Sequence, residues 1–573
     1  MSDKLKGCEI LMRALMDQGV DLVFGYPGGQ IMPVYDSLYD HSDHIRHYLA
    51  RHEQGAIHAA EGYARASGKT GVVIATSGPG AMNLITGLND ALMDSTPIVA
   101  ITGQVPSSLL GKDAFQESDV VSVTLPITKW SIQVRTADEI APAIAKAFYI
   151  ANSGRPGPVV LDISKDAQIG LSEYVPTRCN FIRSYDPDPA ISEDKLREAA
   201  EIINSAKRPM ILAGHGVTIA RAENELSELA EKAEIPVACT MLGLSALPSS
   251  HPLNKGLLGM HGNLGPNINT NKADVIIAIG MRFDDRVTGD TKKYAPEAKI
   301  IHIDIDASEF DKTVRSHVHI HANAKSALSR LIPLIAATSH KEWLGSFLRH
   351  EKVENERVKN QELHPTNDDG KMHMGEVVDR VSEAFGNDAI LVTDVGQNQM
   401  FSVRYFKFSS PRSCISSGGL GTMGFGLPAA IGAKIAVPQR EVVLFAGDGG
   451  LQMTIEELGM IMEYNVGVKI ILLNNNFLGN VRQWQELFFN SRYSATPMIN
   501  PDFVVLARAY GIAGEDVAHR DNLPEAIERM KNHRGAYILN VNIEEMGMIF
   551  PMTPGGHGVD EILLNSTEYY KPV

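Results

Sequence analysis

The chain is 573 residues long, 44% apolar and 6% aromatic; at roughly 150 residues per domain, that suggests about three or four domains with sizeable cores. Its formal net charge of −15 is spread along the chain, which argues against a nucleic-acid partner but leaves room for an anionic substrate in a locally basic pocket. Cys8, Cys179, Cys239 and Cys414 form no CxxC pair, no apolar run approaches the ~18 residues of a membrane span, and MSDKLKGCEI lacks an apolar signal core, so free thiols and a cytoplasmic location are expected, with no membrane association.

In chain order, short apolar runs end in Gly-rich or Asp/Asn-rich turns and lead into helical patterns. They are GVDLVFGYPGG (19–29), GVVIATSGPGAMNLITGL (71–88), PVVLDISKD (158–166), PMILAGHG (209–216), ADVIIAIGMRFDD (273–285), AKIIHIDID (298–306), EVVLFAGDGG (441–450) and VKIILLNNN (468–476). Continuous Val/Ile/Leu runs read as buried parallel strands, and their alternation with helices predicts an α/β chain of doubly wound parallel sheets. Residues 171–192 are Pro-rich without a period, and 351–372 are charged with little to bury. Read as linkers, they divide the chain into three domains at 1–180, 190–345 and 370–573.

The sharpest chemical signal is Gly447-Asp448-Gly449 after EVVLFA, with Asn475 ending the strand VKIILL. If the two strands are neighbours, both loops open on one edge, where open α/β sheets bind ligands. The Asp448 carboxylate, the Asn475 amide oxygen and the Phe477 carbonyl then form an oxygen set suited to Mg²⁺ shared with phosphates. Taken alone, Gly-Asp-Gly reads more readily as a turn with an Asp cap; paired with the Asn run at this spacing, each ending a strand, it is far more specific.

With these residues in place, the chain resembles the thiamine-diphosphate (ThDP) enzyme family, and closely its acetolactate synthase branch. FGYPGG (24–29), RHEQGA (51–56), ATSGPGAMNLITG (75–87), DAFQE (113–117), LGMHG (258–262), RFDDRVTG (282–289), GGLGTMGFGLP (418–428) and VRQWQELFF (481–489) keep the family's order nearly end to end. The resemblance implies a three-domain enzyme: a pyrimidine-binding domain, a central FAD-binding domain and a diphosphate/Mg²⁺ domain. It decarboxylates pyruvate and ligates the two-carbon unit to a second 2-oxo acid, pyruvate or 2-oxobutyrate, in branched-chain amino-acid biosynthesis. Glu53 matches the acid that hydrogen-bonds the coenzyme pyrimidine; by itself it also reads as a helix-terminal acid favoured by the dipole. Met423 matches the wedge under the bent coenzyme, with a core methionine as the plain alternative. Gly419-x-Gly421-x-x-Gly424 spells a dinucleotide fingerprint, which is set aside because no convincing strand precedes it. Val395, Gly396 and Gln397 match the diphosphate cradle, with Asn398 where the family has His. Gly29, Phe115, Gln116 and Lys165 match residues lining the reaction centre. Arg286 matches the acceptor-carboxylate arginine and Trp484 the residue favouring the larger acceptor. Arg286 and Lys165 read otherwise as salt-bridge partners, and Trp484 as a half-buried core aromatic.

For FAD the matching positions are Arg155, Gly214, Met260, His261, Gly280, Arg282, Asp304, Ile305 and Asn323, the last replacing an acid. Ser164, Gln30 and Asn480 also depart from the pattern, standing for Pro, Ala and Met. The family builds its site between two chains, so a homodimer or tetramer is implied. With no regulatory extension visible, a separate small subunit would carry any feedback. A pyruvate oxidase-like enzyme or a 2-oxo-acid decarboxylase on the same fold remains the alternative; a non-catalytic scaffold is disfavoured by intact Glu53, Asp448 and Asn475.

Overall fold

Burial on both faces explains the continuous apolar runs. In the computed structural model, which describes residues 4–366, 370–386 and 388–571, they become the strands of three six-stranded, wholly parallel sheets among the described residues. The first sheet comprises Leu22–Gly25, Arg46–Leu49, Gly71–Ala75, Ile98–Gln104, Trp130–Val134 and Pro158–Ser164. The middle one comprises Pro209–Ala213, Val237–Cys239, Asn254–Leu257, Val275–Ile279, Lys299–Asp304 and Val318–His321. The last comprises Ile390–Thr393, Cys414–Ile415, Val442–Gly447, Lys469–Asn474, Ala513–Val517 and Tyr537–Asn542. With each sheet's strands numbered in chain order, the outer sheets both run 2-1-3-4-6-5 and the middle one 3-2-1-4-5-6. The latter is the order of dinucleotide-binding folds, which take their ligand where the order reverses.

Two helices join the outer domains. Glu53–Ser67 is almost entirely buried and lies against Gly426–Ala436. The approach is backbone on backbone: a Cβ on Gly62 would sit 2.0 Å from the Ala429 carbonyl oxygen, and one on Gly432 1.8 Å from that of Ala59. Only glycine permits it.

Residues 171–192 hold little regular structure. The charged segment 351–372 begins as helix rather than irregular connector, and its residues 367–369 lie outside the described residues. The helix Lys341–Glu354 runs on through a π turn, Asn355–Lys359, and a further turn, Asn360–Leu363. The segment has a partner that sequence alone hides: Glu354 receives Arg404 Nη2 at 2.6 Å, with both side chains 1% exposed. Leu264 N and Asn263 Nδ2 donate to the same carboxylate, while Arg404 Nη1 donates to the carbonyls of His261 and Gly262. The four cysteines are free. No helix among the described residues is long and apolar enough to cross a membrane.

Burial raises the Glu354 carboxyl, but Arg404, Lys359 and the two hydrogen bonds outweigh it, so its pKa lies below the ordinary glutamate value of 4.5. A depressed carboxylate pKa gives stability that is present above the unfolded value and lost as pH falls through the folded one. Arg404→Met leaves the buried charge unpaired and should cost about 3–5 kcal/mol near neutrality. Urea denaturation should show this loss, and the gap from wild type should narrow as pH drops below 4.5.

Candidate active site

Strands Val442–Gly447 and Lys469–Asn474 pair in parallel with Gly447 opposite Leu473, so their loops open on one edge. Asp448 and Asn475 are 1% and 3% exposed. Asp448 Oδ2 accepts from Asn500 Nδ2 at 2.7 Å, and the same amide donates to Asn474 and Asn476 at 3.1 Å. Burial raises the Asp448 carboxyl, and the Asn500 hydrogen bond offsets this in part. A divalent cation would reverse the penalty, and the donor set of carboxylate, amide oxygen and the nearby Phe477 carbonyl fits Mg²⁺. Asn475 Oδ1 accepts from Phe477 N at 3.3 Å, which fixes that turn.

An anion cradle adjoins this oxygen set. Gly396, at φ 129°, precedes the helix Gln397–Tyr405. Gln397 Oε1 accepts from Asn475 Nδ2 at 3.4 Å. Gly479, opening the helix Gly479–Phe488, lies so close that a Cβ would come within 2.2 Å of Gln397 Oε1 and 2.9 Å of Asn475 Nδ2. Two helix N-termini thus converge beside Asp448, as a diphosphate requires. Asn398 stands against Gly447, its Nδ2 3.2 Å from where a Cβ would be, and its Oδ1 is buried without a partner. Turning that amide over would present a donor to phosphate, without the charge of a histidine. Met423 Cε lies 3.7 Å from the Cβ position of Gly449. Asp394 holds this loop: it accepts from Val395, Gly424 and Gly426 N–H groups. A two-residue strand, Cys414–Ile415, does precede Gly419–Gly424, contrary to the sequence reading. The loop leads into the helix Gly426–Ala436, and the Asp394 carboxylate takes up its Gly424 and Gly426 N–H groups.

Glu53 is 8% exposed at the start of its helix. Its Oε2 accepts from Asn83 Nδ2 at 2.9 Å, and its Oε1 lies 3.0 Å from the Cβ position of Gly80. Gly78, at φ 59°, admits the backbone of Gln116, itself at φ 61°. Lys165 Nζ donates to the Gly29 carbonyl at 3.2 Å, joining two expected residues. Ser164 caps the Lys165–Ile169 helix by accepting from Ala167 N, which gives this serine a task of its own. Gln30 N is held by Thr76 Oγ1. Gly29 faces open space, and Phe115 is 84% exposed. Among the described residues, no hydrogen bond or ion pair of one chain joins this cluster to Asp448. The Glu53 helix instead abuts Glu457, which accepts from Arg51 N and His52 N and is pushed up to about 7 by burial.

The middle sheet reverses order between Pro209–Ala213 and Val275–Ile279, and there a cavity of about 490 Å³ opens. Met260, His261, Gly280 and Arg282 line it, with Asp304, Ile305 and Asn323. Gly214 lies against the Gly280 carbonyl, and His215 and Gly216 form the wall in its place. Burial lifts Asp304 to about 7 and lowers His261 to about 3, where its Nδ1 has no partner. Arg155 reaches in from the first domain but is already paired with Glu309 at 2.9 Å and Asp306 at 3.4 Å. Asn323 caps the helix Ala324–Leu331. The cavity is also lined by Val395, Asn480, Arg286 and Trp484, so it reaches the two helix N-termini beside Asp448. The Arg286 guanidinium stacks 5.9 Å from the Trp484 ring centroid. Asn83, Asp394 and Asn500 escaped the sequence reading, although Asn83 and Asp394 lie in or beside motifs it used.

The chain matches the thiamine pyrophosphate (that is, ThDP) enzyme families in three parts: the N-terminal TPP-binding domain over residues 5–123, the central domain over 196–331 and the C-terminal TPP-binding domain over 394–541. It is 41% identical to the acetolactate synthase isozyme 3 large subunit of Escherichia coli (strain K12), over 99% of this chain and 100% of that protein. It is 43% identical to a probable acetolactate synthase large subunit of Methanocaldococcus jannaschii, over 96% and 94%, and 41% identical to the acetolactate synthase large subunit of Lactococcus lactis, over 97% and 96%. Coverage of this extent leaves no domain unaccounted for, and the chain belongs to the acetolactate synthase large-subunit family of ThDP enzymes.

Proposed function

We propose that the chain decarboxylates pyruvate and ligates the two-carbon unit to a second pyruvate, giving 2-acetolactate, or to 2-oxobutyrate, giving 2-aceto-2-hydroxybutyrate, in branched-chain amino-acid biosynthesis. The observation that carries the assignment is the cavity joining the middle domain to the diphosphate cradle, with Arg286 and Trp484 at the junction. ThDP, when bound, supplies the nucleophilic carbon and the electron sink that decarboxylation needs. Asp448, Asn475 and the Phe477 carbonyl would hold Mg²⁺, and the helix ends at Gln397 and Gly479 the diphosphate. Glu53, oriented by Asn83, would hold a proton at the pyrimidine ring. Arg286 would pair with the acceptor carboxylate, and the Trp484 face would cover its alkyl group. Lys165, Gly29, Gln116 and Phe115 would close the site over the substrate. FAD suits the large cavity, although the carboligation is redox-neutral.

We place the complete site between two copies, the Glu53 cluster of one facing the Asp448 cluster of the other. The exposure of Phe115, Met453 (57%) and Phe488 (49%) supports this. The relatives are named large subunits, which supports a separate small regulatory subunit.

The deciding assay supplies pyruvate, ThDP and Mg²⁺, with and without 2-oxobutyrate. Acetolactate as main product upholds the proposal; acetaldehyde, or acetyl phosphate with peroxide, replaces it with the decarboxylase or oxidase reading. Glu53→Gln should keep the circular dichroism spectrum and lower kcat by about 10²–10⁴-fold, the range of positioned proton transfer. Trp484→Leu should erode the preference for 2-oxobutyrate over pyruvate by roughly tenfold or more, the scale of one methylene in a pocket, read from product ratios in mixed-substrate reactions.

A further inference from the structure

A second cavity, of about 240 Å³, lies where the three domains meet. It shares Ser95, Pro156, His215, Ile219 and Leu242 with the wall of the large cavity. Its other side is built from Arg65 near the end of the Glu53–Ser67 helix, Arg221 beyond the His215–Ile219 helix, and Arg412 ahead of the strand Cys414–Ile415. No Asp or Glu lines it among the described residues.

The three guanidinium groups converge. A Cβ on Gly68 would lie 3.1 Å from Arg412 Cζ and 3.3 Å from Arg221 Nη2, so two like charges flank one point. Arg412 is fixed there by its hydrogen bonds to the carbonyls of Arg65 and Thr218. Burial and the neighbouring Arg221 lower its pKa against the pull of Glu223. Arg65 is 6% exposed and uses only Nη1, on Asp94 Oδ2 at 3.3 Å and the Ser416 carbonyl at 2.6 Å. Its Nε and Nη2 are buried without partners, as is Thr96 Oγ1 on the same wall. Buried donors left unmade are costly, and like charges brought together add to the cost. Asp94 meets the group from one side and Glu223 from another, two carboxylates against three guanidinium groups, and neither lines the cavity.

We infer that this cavity is an anion site for a phosphate-class dianion, distinct from the coenzyme diphosphate cradle. Arginine forks match tetrahedral oxyanions bidentately. A monocarboxylate would bring a single charge to two or three guanidinium groups, whereas a phosphate brings close to two. The anion would tie all three domains together and brace the shared wall of the large cavity.

The test uses holoenzyme saturated with ThDP, Mg²⁺ and FAD, titrated at constant ionic strength and free Mg²⁺ with inorganic phosphate and, separately, with ADP, reading Tm. A saturable rise in Tm is expected, with half-saturation weakened at least tenfold in Arg221→Gln and Arg412→Gln. Acetolactate formation without added phosphate should be unchanged in Arg221→Gln. Saturation by phosphate as readily as by ADP identifies the free anion as ligand; markedly lower half-saturation for ADP identifies a nucleotide phosphate. The Arg221 side chain makes no hydrogen bond among the described residues, so Arg221→Gln keeps the test decisive if Arg412→Gln fails to fold. No saturable rise with either anion, or equal half-saturation in wild type and Arg221→Gln, overturns the inference.

Discussion

The close contact between the helices Glu53–Ser67 and Gly426–Ala436 is the constraint on which the rest depends. At Gly62 and Gly432 the two backbones come so near that a single methyl on either would meet a carbonyl oxygen. The contact fixes the outer domains relative to one another, and each helix begins at a functional loop. One opens at Glu53; the other follows the Met423 loop that Asp394 holds. Glu457 reinforces the junction by taking the free N–H groups ahead of the Glu53 helix. Interiors are close-packed and transmit small displacements, so a shift of this helix pair would move both halves of the chemistry together.

Strand order divides the labour among three sheets of one architecture. The outer two share an order and match the N-terminal and C-terminal TPP-binding domains of the family. The middle one reverses between neighbouring strands that both end in glycine turns, and the gap becomes the large cavity. That cavity draws Arg155 from the first domain and Val395 and Trp484 from the last. None of the domains holds a whole site alone, which is why Arg404 with Glu354, and the three converging arginines, lie at the seams. The side chains of Arg404, Glu354 and Arg65 are buried there, Arg412 is half-buried and Arg221 exposed, and a charge buried at a seam needs a partner from across it or a ligand.

The strands were legible because a parallel sheet covered on both faces demands unbroken apolar runs, and the turns because backbone must approach a ligand or another backbone. Gly-Asp-Gly with Asn475 was legible because neighbouring parallel strands end on one edge. The helical continuation past Glu354 was not, since its charged residues look solvent-facing until Arg404 arrives from the last domain. Asn500 was missed for a similar reason: a lone amide far along the chain carries no pattern, yet it ties Asp448 to Asn474 and Asn476.

By itself the sequence determined the three-sheet α/β class, the edge of each sheet that carries chemistry, and the kinds of atoms placed there. Those follow from local periodicity and turn chemistry, which act over a few residues. Only the tertiary structure decided which side chains meet: Asn83 with Glu53, Lys165 with the Gly29 carbonyl, Arg286 with Trp484, and Arg65 with Arg221 and Arg412. These partners lie far apart in the chain, and their contact is set by how whole domains pack, a long-range outcome that no local pattern encodes.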